Sequence, residues 1–228
     1  MMRVIEIFYS LQGEGMLTGV PSVFVRLAGC PFRCRWCDTA YAWDYSAGEE
    51  LDPAAIVERT GQWACRFVVL TGGEPLIGLD GAVRPGFVDL TGCLKALGKH
   101  VTIETSGNLF VPDLTCDLLS ISPKLGHATS PAFHQTPGCD PETLCRLIAA
   151  YPYQLKFVIE SPQNINEVRG LLRQLPSVDP DCVLLMPQAG TREELRAKAT
   201  MVAELCKEAG FRFCDRLHIG LWDTLRGR

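Results

Sequence analysis

The sequence predicts an α/β fold, an open or partly closed barrel of parallel strands, in a single domain spanning residues 1–228. Three observations point there. Short apolar runs of strand length alternate with segments of helical period from residue 22 onward. Several of those runs end in polar turns bearing glycine or proline, where open α/β sheets gather their ligands. A chain of 228 residues with 47% hydrophobic content also buries one substantial core without needing a second domain.

Residues 3–8 alternate apolar and polar side chains and read as a strand, followed by the loop Tyr9-Ser-Leu-Gln-Gly-Glu-Gly15. The two glycines around Glu14 allow a close backbone approach to a ligand and aim one carboxylate, although a plain turn would look the same. Residues 22–27 form a second strand, largely apolar, with Arg26 inside it. A buried arginine needs an acidic partner, and a substrate carboxylate or a structural salt bridge would serve equally. Residues 52–62 read as a helix with Asp52 as N-cap and Pro53 at its first position. Residues 67–70 read as a buried parallel strand running into Thr71-Gly-Gly-Glu-Pro75.

A helix over 87–98 is stopped by glycine, and a strand over 101–107 ends in a polar turn. Residues 118–121 form a strand ending in Ser122-Pro-Lys124, and Asp140 caps a helix over 141–150. A strand at 153–159, a helix at 166–174 and a strand at 182–186 ending in Pro187-Gln188 come next. The longest helix covers 192–209 and stops at Gly210. Strands separated by helices pair in parallel through right-handed crossovers. There is no internal repeat or low-complexity linker, and residues 126–138 read as a flexible loop.

The net charge of −4, with scattered Lys and Arg, leaves no electrostatic footprint for nucleic acid, so a small-molecule partner is expected. The start Met-Met-Arg-Val-Ile-Glu-Ile lacks the apolar run of a signal peptide, and no stretch is apolar enough to span a bilayer. A cytoplasmic protein is expected. Eleven cysteines do not read as a secreted disulfide scaffold in a chain with this much core. Eight of them (Cys65, Cys93, Cys116, Cys139, Cys145, Cys182, Cys206, Cys214) are dispersed and read as buried small hydrophobes.

The other three lie in Cys30-Pro-Phe-Arg-Cys-Arg-Trp-Cys-Asp-Thr39. A short looped backbone can turn their sulfurs toward one centre. Four soft ligands would close a structural site; three leave one metal position open for a substrate or cofactor. A zinc knuckle with a distant fourth ligand, or three unrelated core thiols, are the plainer readings.

With Trp36 before Cys37, the triplet resembles the signature of the radical S-adenosylmethionine (SAM) superfamily, and Gly72-Gly-Glu-Pro75 resembles its SAM amino-group motif. The resemblance implies a partial, incomplete TIM-like barrel, a 4Fe-4S cluster on Cys30, Cys34 and Cys37, and a 5′-deoxyadenosyl radical made from SAM. The cofactor does the hard chemistry while the protein supplies ligands and orientation.

A narrower match, to the 7-carboxy-7-deazaguanine synthase family, rests on Leu11-Gln-Gly-Glu-Gly15, Gly19-Val-Pro21, Arg26-Leu27, Gly29-Cys-Pro31, Trp36-Cys-Asp-Thr39, Thr71-Gly-Gly-Glu-Pro75, Glu104-Thr-Ser-Gly107, Ser122-Pro-Lys124, Arg216-Leu-His218 and Trp222. It implies that Trp36, Cys37, Asp38, Gly73, Glu74, Ser122, Pro123, Lys124, Met186, Pro187, Gln188 and Ala189 line SAM. Leu11, Gln12, Gly13, Glu14, Arg26, Thr71 and His218 would hold 6-carboxy-5,6,7,8-tetrahydropterin, and Thr39 would ligate Mg²⁺, a cation that prefers hard oxygen. The implied reaction is hydrogen abstraction and ring contraction with loss of ammonia. A reducing protein such as flavodoxin or ferredoxin and a homodimer belong to the same resemblance. Another small radical SAM enzyme, such as a glycyl-radical activase, shares the triplet but has no use for a pterin-holding carboxylate.

Overall fold

The computed structural model describes residues 1–128, 139–225 and 227. Its strands are β1 (Met2–Leu11), β2 (Pro21–Leu27), β3 (Glu49–Leu51), β4 (Phe67–Gly72), β5 (His100–Thr105), β6 (Leu118–Ile121), β7 (Tyr153–Ile159), β8 (Val183–Pro187) and β9 (Arg212–Phe213). Its helices are α1 (Pro53–Thr60), α2 (Phe87–Ala96), α3 (Pro141–Ala150), α4 (Asn164–Leu172), α5 (Arg192–Ala209) and α6 (Leu217–Trp222). The strands make one sheet in the order β3-β1-β2-β4-β5-β6-β7-β8-β9, with β3 and β9 as its unjoined edges, so the barrel stays open.

Every neighbouring pair from β2 to β9 is parallel, whereas β1 runs antiparallel to both β2 and β3. The expected parallel pairing thus holds for the body of the sheet and fails at its first edge. No helix separates β1 from β2, and a short loop turns a chain back instead of carrying it across a sheet.

Alternation along the strands decides what each face holds. In β2, Val23, Val25 and Leu27 enter the core while Phe24 and Arg26 line a cavity. In β7, Leu155, Phe157 and Ile159 enter the core while Lys156 and Val158 line that cavity. Helix α1 packs on β1 and β2, α2 on β5, α4 on β7 and α5 on β8, which closes the apolar face. Fully buried side chains such as Phe87 and Phe157 each contribute about 1.5–3 kcal/mol there.

The capping residues act as expected: Asp52 accepts from Ala55 N, and Asp140 from Glu142 N and Thr143 N. Helix α4 starts earlier than its apolar period suggests. There the Asn164 carboxamide oxygen accepts from Glu160 N and Ser161 N, both at 2.9 Å, and fixes the strand-to-helix turn. Strands β3 and β9 and helix α6 were not foreseen, being too short to show a period. Residues 129–138, most of the expected flexible loop, lie outside the described residues, while 126–128 form a single 3-10 turn.

All eleven cysteines are free. Among the eight dispersed ones only Cys65, Cys206 and Cys214 are buried, and Cys93 is exposed, which corrects the expectation of uniform burial. On α2 the inward positions are taken by Phe87, Leu90, Thr91 and Leu94, and Cys93 falls outside that set. Among the described residues no helix is long and apolar enough to cross a membrane.

Candidate active site

The loops at the carboxyl ends of β2, β4, β5 and β6, together with the end of β1, converge on one cavity of about 520 Å³. That volume falls within the roughly 300–1,000 Å³ usual for small-molecule sites. Among the expected site residues it is lined by Leu11, Gln12, Gly13, Glu14, Arg26, Cys30, Cys34, Trp36, Cys37, Asp38, Thr39, Thr71, Gly73, Glu74, Ser122, Lys124, Met186 and His218. Pro123, Pro187, Gln188 and Ala189 are not part of its wall. Gln188 instead accepts a hydrogen bond from Lys198, and the Ala189 carbonyl accepts one from Arg216.

The cysteine loop leaves β2 through Gly29, whose N–H donates to the Ala42 carbonyl at 2.8 Å, while Cys30 N donates to the Trp43 carbonyl at 3.2 Å. Its middle is held by Arg35 N donating to the Ala128 carbonyl at 3.0 Å and by Trp36 against the His127 ring at 5.4 Å. Cys30, Cys34 and Cys37 all reach the cavity. Among the described residues, the three-membered set of metal-ligating atoms within 4.8 Å of one another is Glu14, Asp38 and His218, not the cysteines. Burial pushes the Cys30 thiol up to about 12 and raises Cys34 as well, so metal binding must displace protons.

The turn after β4 packs directly on this loop. Gly73 N donates to the Leu27 carbonyl at 3.0 Å and Glu74 N to the Gly29 carbonyl at 2.9 Å. A Cβ on Gly73 would collide with the Gly29 carbonyl oxygen and lie 2.7 Å from that of Ala42, so only glycine allows the approach. The Glu74 carboxylate, 2% exposed, accepts from Thr105 Oγ1 at 2.7 Å, Ser106 N at 2.7 Å and Leu76 N at 3.2 Å. Arg84 clamps the same turn by donating to the carbonyls of Glu74, Pro75 and Ile77. Gly78 N donates to the Ala82 carbonyl at 2.8 Å, and Ile77 bridges Val83, so the segment before Arg84 folds back on itself.

The far end of the cavity is a charged network. Glu14 receives Lys156 Nζ at 2.9 Å on one carboxylate oxygen and Arg216 Nε at 3.0 Å on the other. Lys156 also reaches Glu104 at 3.4 Å, and Gln12 Nε2 donates to Glu104 at 3.1 Å. Arg216 continues to Asp38. Burial alone would raise the Glu14 carboxyl, but Lys156 and Arg216 outweigh it and hold Glu14 well below the usual carboxylate range. Burial likewise disfavours the Lys156 cation, yet Glu14 and Glu104 keep it charged. The Glu14, Asp38 and His218 ligand atoms gather around this same guanidinium, which already bridges the two carboxylates. Burial lowers His218, favouring its neutral ring, which packs against Gly13.

Lys156, Glu104 and Arg216 were given no role by sequence reasoning, although Glu104 and Arg216 sit in quoted motifs. Lys156 had a signal, a lysine within the apolar run Leu155-Lys-Phe-Val-Ile159. Arg26 has an acidic partner within the protein while also lining the cavity: its Nε donates to Glu6 at 2.7 Å, and the Tyr41 hydroxyl joins the same oxygen at 3.0 Å. Thr39 reaches the cavity with its hydroxyl 3.7 Å from Cys37 Sγ.

The residues fit a cluster with SAM. Three free thiols and Gly73 line the one cavity together with Ser122 and Lys124, whose Nζ donates to Ser122 Oγ at 3.0 Å. Ser106, 4% exposed, is also among the residues lining the cavity, and its hydroxyl has no hydrogen-bond partner among the described residues.

Comparison with known proteins agrees. The radical SAM superfamily model matches residues 25–124. The chain is 39% identical to the 7-carboxy-7-deazaguanine synthase of Halobacterium salinarum, over 96% of this chain and 89% of that protein. It is 38% identical to that of Rhodopirellula baltica, over 97% of this chain and 87% of the relative. Among solved structures, QueE from Escherichia coli superposes with a TM-score of 0.68 at 27% identity, covering 95% of this chain and 94% of that one. SuiB of Streptococcus suis bound to S-adenosylmethionine, at 14% identity and a TM-score of 0.52 over 81% of this chain and 44% of its own, is alike in fold alone. On sequence identity along nearly its whole length, the chain belongs to the 7-carboxy-7-deazaguanine synthase family of radical SAM enzymes.

Proposed function

We propose that residues 1–228 act as one radical SAM domain that converts 6-carboxy-5,6,7,8-tetrahydropterin to 7-carboxy-7-deazaguanine with release of ammonia. The observation that carries this reading is one cavity lined both by three free thiols and by the Lys156, Glu14 and Arg216 network. When bound, the 4Fe-4S cluster and SAM supply the radical that takes hydrogen from the carbon bearing the substrate carboxylate.

The chain's own residues hold and orient. Cys30, Cys34 and Cys37 are the cluster ligands. The Gly73 backbone, the Ser122 and Lys124 pair, the loop from Trp36 to Asp38 and Met186 hold SAM, a reading supported by their all lining the cavity. Glu14, kept anionic by two cations, accepts from the N–H edge of the aminopyrimidinone ring, with Gln12, Gly13, Leu11, Thr71 and neutral His218 around it. Arg26 keeps its Nε on Glu6 and turns the rest of its guanidinium to the substrate carboxylate. Thr39 offers one hard oxygen to Mg²⁺ beside that carboxylate, a templating role. The electron comes from a flavodoxin- or ferredoxin-type protein, and the enzyme works as a homodimer in the cytoplasm, whose reducing conditions suit eleven free cysteines.

The test is an anaerobic incubation of reconstituted protein with SAM, a reductant and the carboxylated tetrahydropterin, with and without Mg²⁺, the product being identified by mass. The deazaguanine acid and ammonia are expected, and Thr39→Ala should blunt the magnesium response with the cluster intact. SAM cleavage without a pterin-derived product would overturn the substrate reading, and full magnesium dependence in Thr39→Ala would overturn the ligand.

A further inference from the structure

Arg216 lies just before α6 and is 6% exposed. Its three nitrogens serve three separate loops. Nε donates to Glu14 at 3.0 Å in the loop after β1, one terminal nitrogen to Asp38 in the cysteine loop after β2, and the other to the Ala189 carbonyl after β8. The planar guanidinium presents its donors as a rigid fork, so one side chain fixes the relative placement of all three acceptors. Burial disfavours the Arg216 cation, but Glu14 and Asp38 outweigh that cost and keep it charged.

On the assignments proposed above, two of these loops belong to different ligands, Glu14 to the pterin and Asp38 to SAM, while Ala189 lies behind the cavity wall and anchors the guanidinium. We propose that Arg216 couples the two ligand sites, so that SAM and the pterin substrate bind with positive cooperativity. The inference rests on that reading of the site. The tethered acceptors sit in irregular backbone, and the Asp38 side chain is 42% exposed, so the cysteine-loop end of the link is the loosely packed one. A ligand that packs against Asp38 removes freedom from the guanidinium, and with it from Glu14. The second ligand then meets a carboxylate already in place and has less ordering left to do. By linkage the effect is reciprocal.

The experiment uses full-length protein with its cluster reconstituted, under anaerobic conditions and without reductant, so that nothing turns over. Calorimetry measures the SAM dissociation constant with and without saturating 6-carboxypterin, an oxidised analogue of the substrate. In the unaltered protein the analogue should tighten SAM by at least about fivefold, the lower end of usual coupling between sites. In Arg216→Lys, whose ammonium cannot serve three acceptors in one plane, each ligand should still bind alone while the factor falls below about twofold, a loss of most of that coupling. Asp38→Ala cuts one link without touching the arginine, should lower the factor likewise, and carries the test if Arg216→Lys does not fold. A factor unchanged in both variants, or no coupling in the unaltered protein, overturns the inference while leaving the site assignment standing. Failure of the analogue to bind beside SAM in the unaltered protein sinks the pterin reading and the coupling together.

Discussion

Glu14 is the residue on which the charged end of the cavity turns. Its folded-state value is held well below the usual carboxylate range because Lys156 and Arg216 outweigh the effect of its burial. On acidification the unfolded chain therefore takes up a proton that the folded Glu14 refuses. Stability from this group is fully present above the unfolded value of about 4.3 and is lost as pH falls below it. The urea midpoint of the unaltered protein should fall more steeply between about pH 5 and pH 3 than that of Glu14→Gln. At neutral pH the variant should be less stable by about 1.5–3 kcal/mol, the loss of a hydrogen bond to a charged group. Parallel pH profiles would mean that Glu14 is not the paired carboxylate it is here. Arg26 carries a different lesson at the same scale. Its need for an acid was legible, but the identity of that acid was not. Glu6 faces Arg26 only because the β1–β2 register shifts between Val4 and Glu6, and a bulge of that kind leaves no mark in the alternation.

The elements matter for what their ends deliver. Each parallel strand was visible as an apolar run, and the polar turn behind it as a cluster of glycine, proline and hydroxyl residues, because both signals are local. The turn after β4 shows why its glycines are required. Gly72 has a φ of 154°, and Gly73 lies against the carbonyl oxygens of Gly29 and Ala42. Those oxygens are backbone and already engaged, that of Gly29 by Glu74 N at 2.9 Å and that of Ala42 by Gly29 N at 2.8 Å, so they cannot swing aside without breaking those bonds. Gly73→Ala should therefore displace the start of the cysteine loop and cost about 1–3 kcal/mol or more, the usual price of overpacking. The reconstituted variant should also bind SAM at least about tenfold more weakly, as losses of supporting structure around metal sites do. Unchanged SAM affinity together with an unchanged melting temperature would refute that geometry. Alternation along β7 made Lys156 findable, since a lysine between buried Leu155 and Phe157 must point to the opposite face.

For the whole molecule, the open sheet sets a gradient of stability. Strands β4 to β7 have a neighbour on each side, whereas β3 and β9 are edges of two or three residues. Hydrogen exchange followed by mass spectrometry should find amides of β4 to β7 exchanging at least about a hundredfold more slowly than those of β9, since local openings range from nearly free to the global unfolding energy. Equal protection at β9 would argue for a covering partner on that edge. The same architecture divides what was legible from what was not. The sequence by itself determined the order of strands and helices, the capping residues and the cysteine triplet, because each is written in residues a few positions apart. Only the tertiary structure decided the antiparallel first edge, the Glu6 partner of Arg26 and the network through Glu14, Lys156, Arg216 and Asp38. Those bonds join residues 142, 202 and 178 positions apart, and no periodicity along a chain encodes contacts that exist only once a sheet has brought its strand ends together.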